Sequence, residues 1–206
     1  KLEKNQIKRT FSSLSSPESA YLSLVTLFDQ KELSMLFNSS FYENSPMKPD
    51  NKPIKEIFNI DNHIWQSVMR AEIEQFTLII NLLKQDRFGM RFSLESRVPL
   101  VSKDILNFAG SLPIEELLNE KNKKLLLNYS NIKAMKKKPF SVFASPNYKE
   151  MLILLMNRYV TEENIAEIKI INWKYIILLK KQIQKGSMLS IKKGMALLVF
   201  VVWWKK

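Results

Sequence analysis

Three features of the sequence predict a mainly α-helical fold. Apolar residues recur at helical spacing, most densely from Ile64 to Leu83. Capping signals stand ahead of other such runs, at Ser16-Pro17-Glu18 and at Asp29-Gln30-Lys31-Glu32. Strand signals, by contrast, are sparse.

The first predicted helix begins at Pro17. Ser16 supplies the N-cap, proline occupies the position where its missing N–H is not needed, and Tyr21, Leu24, Val25 and Phe28 follow at helical spacing. Asp29 and Glu32 form a capping box that starts a second short helix, with Leu33, Leu36 and Phe37 on its apolar face. Across 38–62 the pattern fails, with Pro46, Pro49 and Pro53 among serines, asparagines and charges, so this stretch is read as a loop excursion. The apolar density from Ile64 to Leu83 predicts a central helix buried on more than one side. Ser102 caps a helix through Ala109 that Gly110 terminates, and Pro113 opens a short helix with Glu115 and Glu116 in its first turn. Leu125 to Tyr129 keeps helical character, and beyond it Pro139 and Pro146 mark a loop. Lys149 to Tyr159, Thr161 to Ile168, Trp173 to Lys185 and Met188 to Trp204 then read as helices.

Composition narrows the function. The 206 residues, 46% of them hydrophobic, suffice for one sizeable core or two small ones. The absence of cysteine excludes a disulfide framework, a thiolate zinc site and a cysteine nucleophile within the chain. No secretory leader is visible after Lys1, so the chain is read as a fragment or as one whose start has been removed, with a cytoplasmic location expected. The longest apolar run, Met195 to Trp204, is half of the ~20 residues a spanning helix requires and has lysines on both sides. It reads as a buried terminal helix, and no membrane partner is expected. A formal charge of +12 raises the question of nucleic acid. The lysines are scattered, however, and abundant together with asparagine and isoleucine, as codon drift in an AT-rich genome would produce. A basic nucleic-acid-binding module is therefore the remote alternative.

The most informative stretch is Asp86-Arg87-Phe88-Gly89-Met90-Arg91-Phe92-Ser93-Leu94-Glu95-Ser96-Arg97-Val98-Pro99-Leu100. It resembles the asparagine synthetase family pattern D-R-x-S-M-x-x-S-L-E-x-R-V-P-F in most fixed positions and in every spacing. The surroundings agree: Ile105 to Ala109 followed by Ser111-Leu112-Pro113 is similar to the family's continuation, and Lys123 falls on the lysine of its G-K-x-x-L-R segment. Lys137 and Phe140 sit like the lysine and phenylalanine of its R-P-K-x-G-F segment, and the last helix resembles the family's tryptophan-bearing C-terminal helix. The resemblance covers roughly Glu72 to Trp204, and more weakly the opening helices.

The resemblance implies that residues 1–206 are the helical C-terminal part of a synthetase domain. The complete domain would be an adenine-nucleotide α-hydrolase-like, PP-loop ATP pyrophosphatase α/β fold. It implies an AMP-forming ligase that converts aspartate to asparagine with glutamine or ammonia as nitrogen donor, using ATP and Mg2+. The implied partners are those small molecules, an upstream phosphate-loop segment and a glutaminase domain, with homo-oligomers common in the family. Neither the family's Ser-Gly-Gly-x-Asp-Ser loop nor its Ser-Gly-Glu segment is present. The residues argue the same way, because phosphate cradles need clustered glycines and the chain has only Gly89, Gly110, Gly186 and Gly194, no two close together. The isolated chain is therefore expected to be inactive.

Lys137 is the implied catalytic cation, placed to neutralise phosphate charge, with Lys136 and Lys138 as neighbours if the register slips. The competing reading is a solvated lysine run. Glu95 is either a carboxylate that orients or deprotonates the attacking amine, or a structural partner of an arginine. Asp86, Arg87 and Arg97 are read as structural, pinning the turn against the helix. Lys123 either reaches the nucleotide or lies on the surface. His63 lacks partner ligands for a metal, and exposure or a cap is its expected role. The chain also departs from the family. Thr77-Leu78-Ile79-Ile80 replaces Leu-Pro-Asp-Asp, Pro99-Leu100-Val101-Ser102 replaces Pro-Phe-x-Asp, Leu127 replaces an arginine and Pro139 a glycine. These departures keep two alternatives open: a relative that amidates a sugar acid or closes a lactam or peptide ring, and a divergent inactive homologue.

Overall fold

The computed structural model describes residues 15–45, 51–60, 63–117, 143 and 145–206. In chain order these form α1 (Pro17–Val25), α2 (Gln30–Leu36), α3 (Ser39–Asn44), α4 (Lys52–Ile60) and α5 (Ile64–Ala71). A π-helical segment (Glu72–Leu82) leads into α6 (Leu83–Met90), a 3-10 turn (Pro99–Val101), α7 (Lys103–Ser111) and α8 (Ile114–Leu117). The last group is α9 (Pro146–Tyr159), α10 (Glu162–Ile168), α11 (Trp173–Gln184) and α12 (Met188–Trp204). Among the described residues there is no strand, only an isolated antiparallel bridge between Phe37 and Ile171. The predicted mainly helical character is therefore observed. The chain divides into two compact units, 1–51 with 139–206, and 52–138.

The first unit holds the core. Leu152, Met156 and Val160 of α9 and its C-cap meet Ile176, Leu179 and Ile183 of α11 and Leu197, Leu198 and Val201 of α12, with Leu36 of α2 added to the cluster. Gly194 lets α12 approach its neighbours closely: a Cβ there would lie 2.5 Å from Ile183 Cδ1 and 3.0 Å from Met156 Sδ. The bridge is fixed by Asn38 N–H donating to Ile170 O at 2.9 Å and Asn172 N–H donating to Leu36 O at 2.7 Å. Helix ends follow their sequence signals. Asp29 Oδ1 accepts from Glu32 N at 2.8 Å and Glu32 Oε2 from Asp29 N at 3.2 Å, completing the predicted capping box. Gly186, with φ of 82°, ends α11, its N–H bonded to Ile183 O and that of Ser187 to Gln182 O, a Schellman motif.

Several expectations need correction. The stretch 38–62 is not a continuous loop, since it contains α3 and α4. Pro53 stands at the second position of α4, where no intrahelical N–H bond is lost, and Ile54 and Ile57 give the helix a buried edge three residues apart. Pro46 and Pro49 lie outside the described residues. Gly110 does not terminate α7, which runs on to Ser111. Its φ is not positive, so it makes no left-handed cap. Pro146 opens α9 rather than marking a loop. Leu125 to Tyr129 lies outside the described residues.

The largest correction concerns the second unit. Ile64 to Leu83 is not one α-helix buried on more than one side, but α5 followed by a π-helical segment with few buried residues. Leu78, Ile79, Ile80 and Leu83 are all exposed, Ile79 to 55%. Hydrogen bonds to the fifth residue wind the chain more widely and shift apolar residues off the α-helical stripe. Apolar density thus signals a demand for burial that the described residues do not meet.

Candidate functional site

The Asp86-to-Leu100 stretch spans the end of α6, a turn, an extended segment and the 3-10 turn. Ser93 N–H donates to Met90 O and Leu94 N–H to Gly89 O, both at 3.0 Å. With Ser93 at φ 57°, this is a Schellman closure with serine in the left-handed position that usually takes glycine. Gly89 permits the return of the chain, because a Cβ there would sit 2.6 Å from the Leu94 carbonyl oxygen. Gln85 Nε2 donates to Ser96 Oγ, tying α6 to the extended segment.

Alternation along that segment brings Glu95 and Arg97 to one side, where Oε1 and an Nη lie 2.5 Å apart. Both side chains are well exposed, 66% for Glu95 and 85% for Arg97, so solvent screens the pair. Glu95 is therefore not the buried carboxylate that a tuned base would require in isolation. Asp86 and Arg87 are exposed on α6, and neither joins an ion pair among the described residues. The structure thus brings Glu95 and Arg97 together and leaves Asp86 and Arg87 apart from them. Lys123 and Lys137 lie outside the described residues. His63 is exposed at the N-cap of α5, and its side chain makes no capping bond.

Among the described residues no glycine-rich phosphate cradle is formed. Gly89, Gly110 and Gly194 lie within helices and Gly186 at a helix C-terminus, so none opens a cradle of N–H groups at a helix N-terminus. No group of three or more His, Asp or Glu among the described residues could hold a metal ion. No helix among them is long and apolar enough to cross a membrane.

Two features escaped the sequence reading. Lys193 is buried to 3% exposure in α12, where its Nζ contacts Glu32 Oε1 and lies 5.6 Å from the centre of the Phe28 ring. The signal was present, for Lys193 stands four residues before the core residue Leu197. In the second unit, Gln66, Arg70 and Glu74 line a cleft of about 530 Å3 with Asn107 and Ser111. Their spacing of four residues places the first three on one helix edge.

This helical frame and its Asp86–Leu100 turn agree with the comparison to known families. Residues 22–204 match the family model described as asparagine synthase. The match covers most of the sequence, and the chain belongs to the asparagine synthase family, a family of ATP-dependent amidotransferase-type carbon–nitrogen ligases. No curated protein and no solved structure matches it.

Proposed function

We propose that this chain forms the helical part of an AMP-forming ligase that converts aspartate to asparagine, with glutamine or ammonia as nitrogen donor. The observation that carries the reading is the family match over residues 22–204, a range that contains the Asp86–Leu100 turn, Lys123 and Lys137. In this proposal Lys137 supplies positive charge to the phosphates, Lys123 assists in holding the nucleotide, and Glu95 orients the attacking amine. Asp86, Arg87 and Arg97 shape the turn that carries Glu95. ATP and Mg2+ are held mainly by an upstream phosphate-loop segment, and a glutaminase domain supplies nitrogen. The absence of clustered glycines from all 206 residues supports this division of labour. A cytoplasmic location fits the absence of cysteine.

The test is conversion of labelled aspartate to asparagine in the presence of ATP, Mg2+ and glutamine. The complete gene product is expected to form asparagine, and the 206 residues alone are expected to form none. Asparagine made by the 206 residues alone would overturn the division of labour. Amidation of a different carboxylate by the complete product would assign the chain to a specialised relative.

A further inference from the structure

One basic stretch of this chain lies at its C-terminal end, in addition to the lysines of 121–138. From Lys169 to Lys206 the sequence holds nine lysines and no aspartate or glutamate. Those residues are α11, α12 and their flanks. Lys193 is turned inward against Glu32, Lys205 pairs with Glu167 at 3.2 Å, and Lys180 donates to Val160 O at 2.9 Å. Lys174, Lys181, Lys185, Lys192 and Lys206 all face solvent.

Exposed apolar side chains share the faces of these lysines. On α11, Ile177 and Leu178 stand between Lys174 and Lys181, opposite the buried Tyr175, Ile176, Leu179 and Ile183. On α12, Lys192, Val199 and Trp203 recur at intervals of seven and four residues, which is one helical stripe, and Lys206 follows just past the helix end. Leu178 is 55% exposed, Val199 54% and Trp203 66%. Trp203 and Trp204 also pack on each other and on Phe200, with ring centres 5.8 to 6.4 Å apart. Each helix therefore has an apolar inner face in the core and an outer face that alternates lysine with aliphatic and aromatic groups. Single exposed aliphatic groups are ordinary on a surface, but the packed rings of Phe200, Trp203 and Trp204 make a contiguous patch on α12.

We propose that the outer faces of α11 and α12 dock on an anionic membrane surface, lying in the interface without crossing it. The acid-free run of lysines selects an acidic partner. The choice of lipid over nucleic acid follows from the apolar groups. A phosphate backbone rewards lysine and gives Ile177, Leu178 and Val199 nothing to bury against, whereas a bilayer interface receives them among its headgroups and seats tryptophan at that level. The length of the Met195–Trp204 run bears only on spanning, so it does not oppose this docking. The inference is independent of the ligase reading.

The test is co-sedimentation of the full chain with vesicles of phosphatidylcholine alone, and of phosphatidylcholine mixed with phosphatidylglycerol. Binding is expected only to the mixed vesicles, and it should weaken as salt is raised. The combined K174Q, K181Q and K185Q variant should lose on the order of a hundredfold in affinity, at about fivefold per lysine. Brominated lipid should quench tryptophan emission in the native chain and not in the W203S, W204S variant, which retains Trp65 and Trp173 as internal controls. All substitutions are at exposed positions, and unchanged helical circular dichroism would establish that the variants fold. Three results would overturn the proposal: no binding to mixed vesicles, binding that neither variant weakens, or tighter salt-dependent binding to nucleic acid without quenching by brominated lipid.

Discussion

Lys193 and Glu32 form the most heavily buried ion pair among the described residues, and their cost and benefit depend on both being present. Glu32→Gln leaves a cation inside the first unit and is expected to lower stability by about 3 kcal/mol, while adding Lys193→Met should bring the value back to within about 1 kcal/mol of the native chain. The difference in denaturant midpoints between single and double variants checks this. At Ser93 the left-handed backbone makes an opposite prediction. Ser93→Gly should raise stability by roughly 0.5–1 kcal/mol, and Ser93→Val should lower it, both visible as shifts in thermal midpoint. Lys180 supplies a pH dependence. Burial lowers its pKa below the ordinary lysine value, so the unfolded chain binds more protons in the window just below pH 10.5. Stability contributed by this residue therefore rises with pH through that window, and Lys180→Met should flatten the rise in a series of unfolding curves. At this scale the sequence was readable where a residue acts on its neighbours in the chain. The Asp29–Glu32 capping box was found because both partners lie within four residues. The Lys193 pair was missed because its partner is 161 residues away.

At the scale of elements, the close approach of α12 to α9 and α11 rests on Gly194. Gly194→Ala would push a methyl group toward Ile183 and Met156 and should cost about 1–3 kcal/mol, despite the better helix propensity of alanine. Equilibrium denaturation of that variant tests the packing directly. The helices of the first unit were legible because caps, apolar period and burial agree there: α10, α11 and α12 fall within a residue or so of their predicted bounds, and α1 starts at the predicted Pro17 but ends at Val25, three residues short of Phe28. Where those levels disagree, reading failed. The Ile64–Leu83 stretch has the apolar content of a core helix, yet its winding changes at Glu72 and its side chains remain exposed. Short α4 was hidden because proline was taken as a breaker, although in the first helical turn it is compatible with the fold.

For the whole molecule, the uneven burial predicts uneven protection. Amide hydrogen exchange should be slowest in α9, α11 and α12, which share the continuous core, and faster in α5, the π-helical segment and α6, where few side chains are buried. Family membership was readable from one long motif and its spacing, because that pattern is local. The catalytic assignment was not readable to the same depth. Among the described residues Glu95 pairs with Arg97, and the lysines proposed for the nucleotide lie outside the described residues. The central claim, that Lys137 serves an aspartate-activating ligase, is tested most directly by pyrophosphate release from ATP. The complete gene product, with Mg2+ and glutamine, should release pyrophosphate only when aspartate is present, and Lys137→Ala should lower that rate by two or more orders of magnitude, about what loss of one charge-stabilising group costs. Release that is unchanged in the variant, or no aspartate-dependent release from the native protein, would contradict the account.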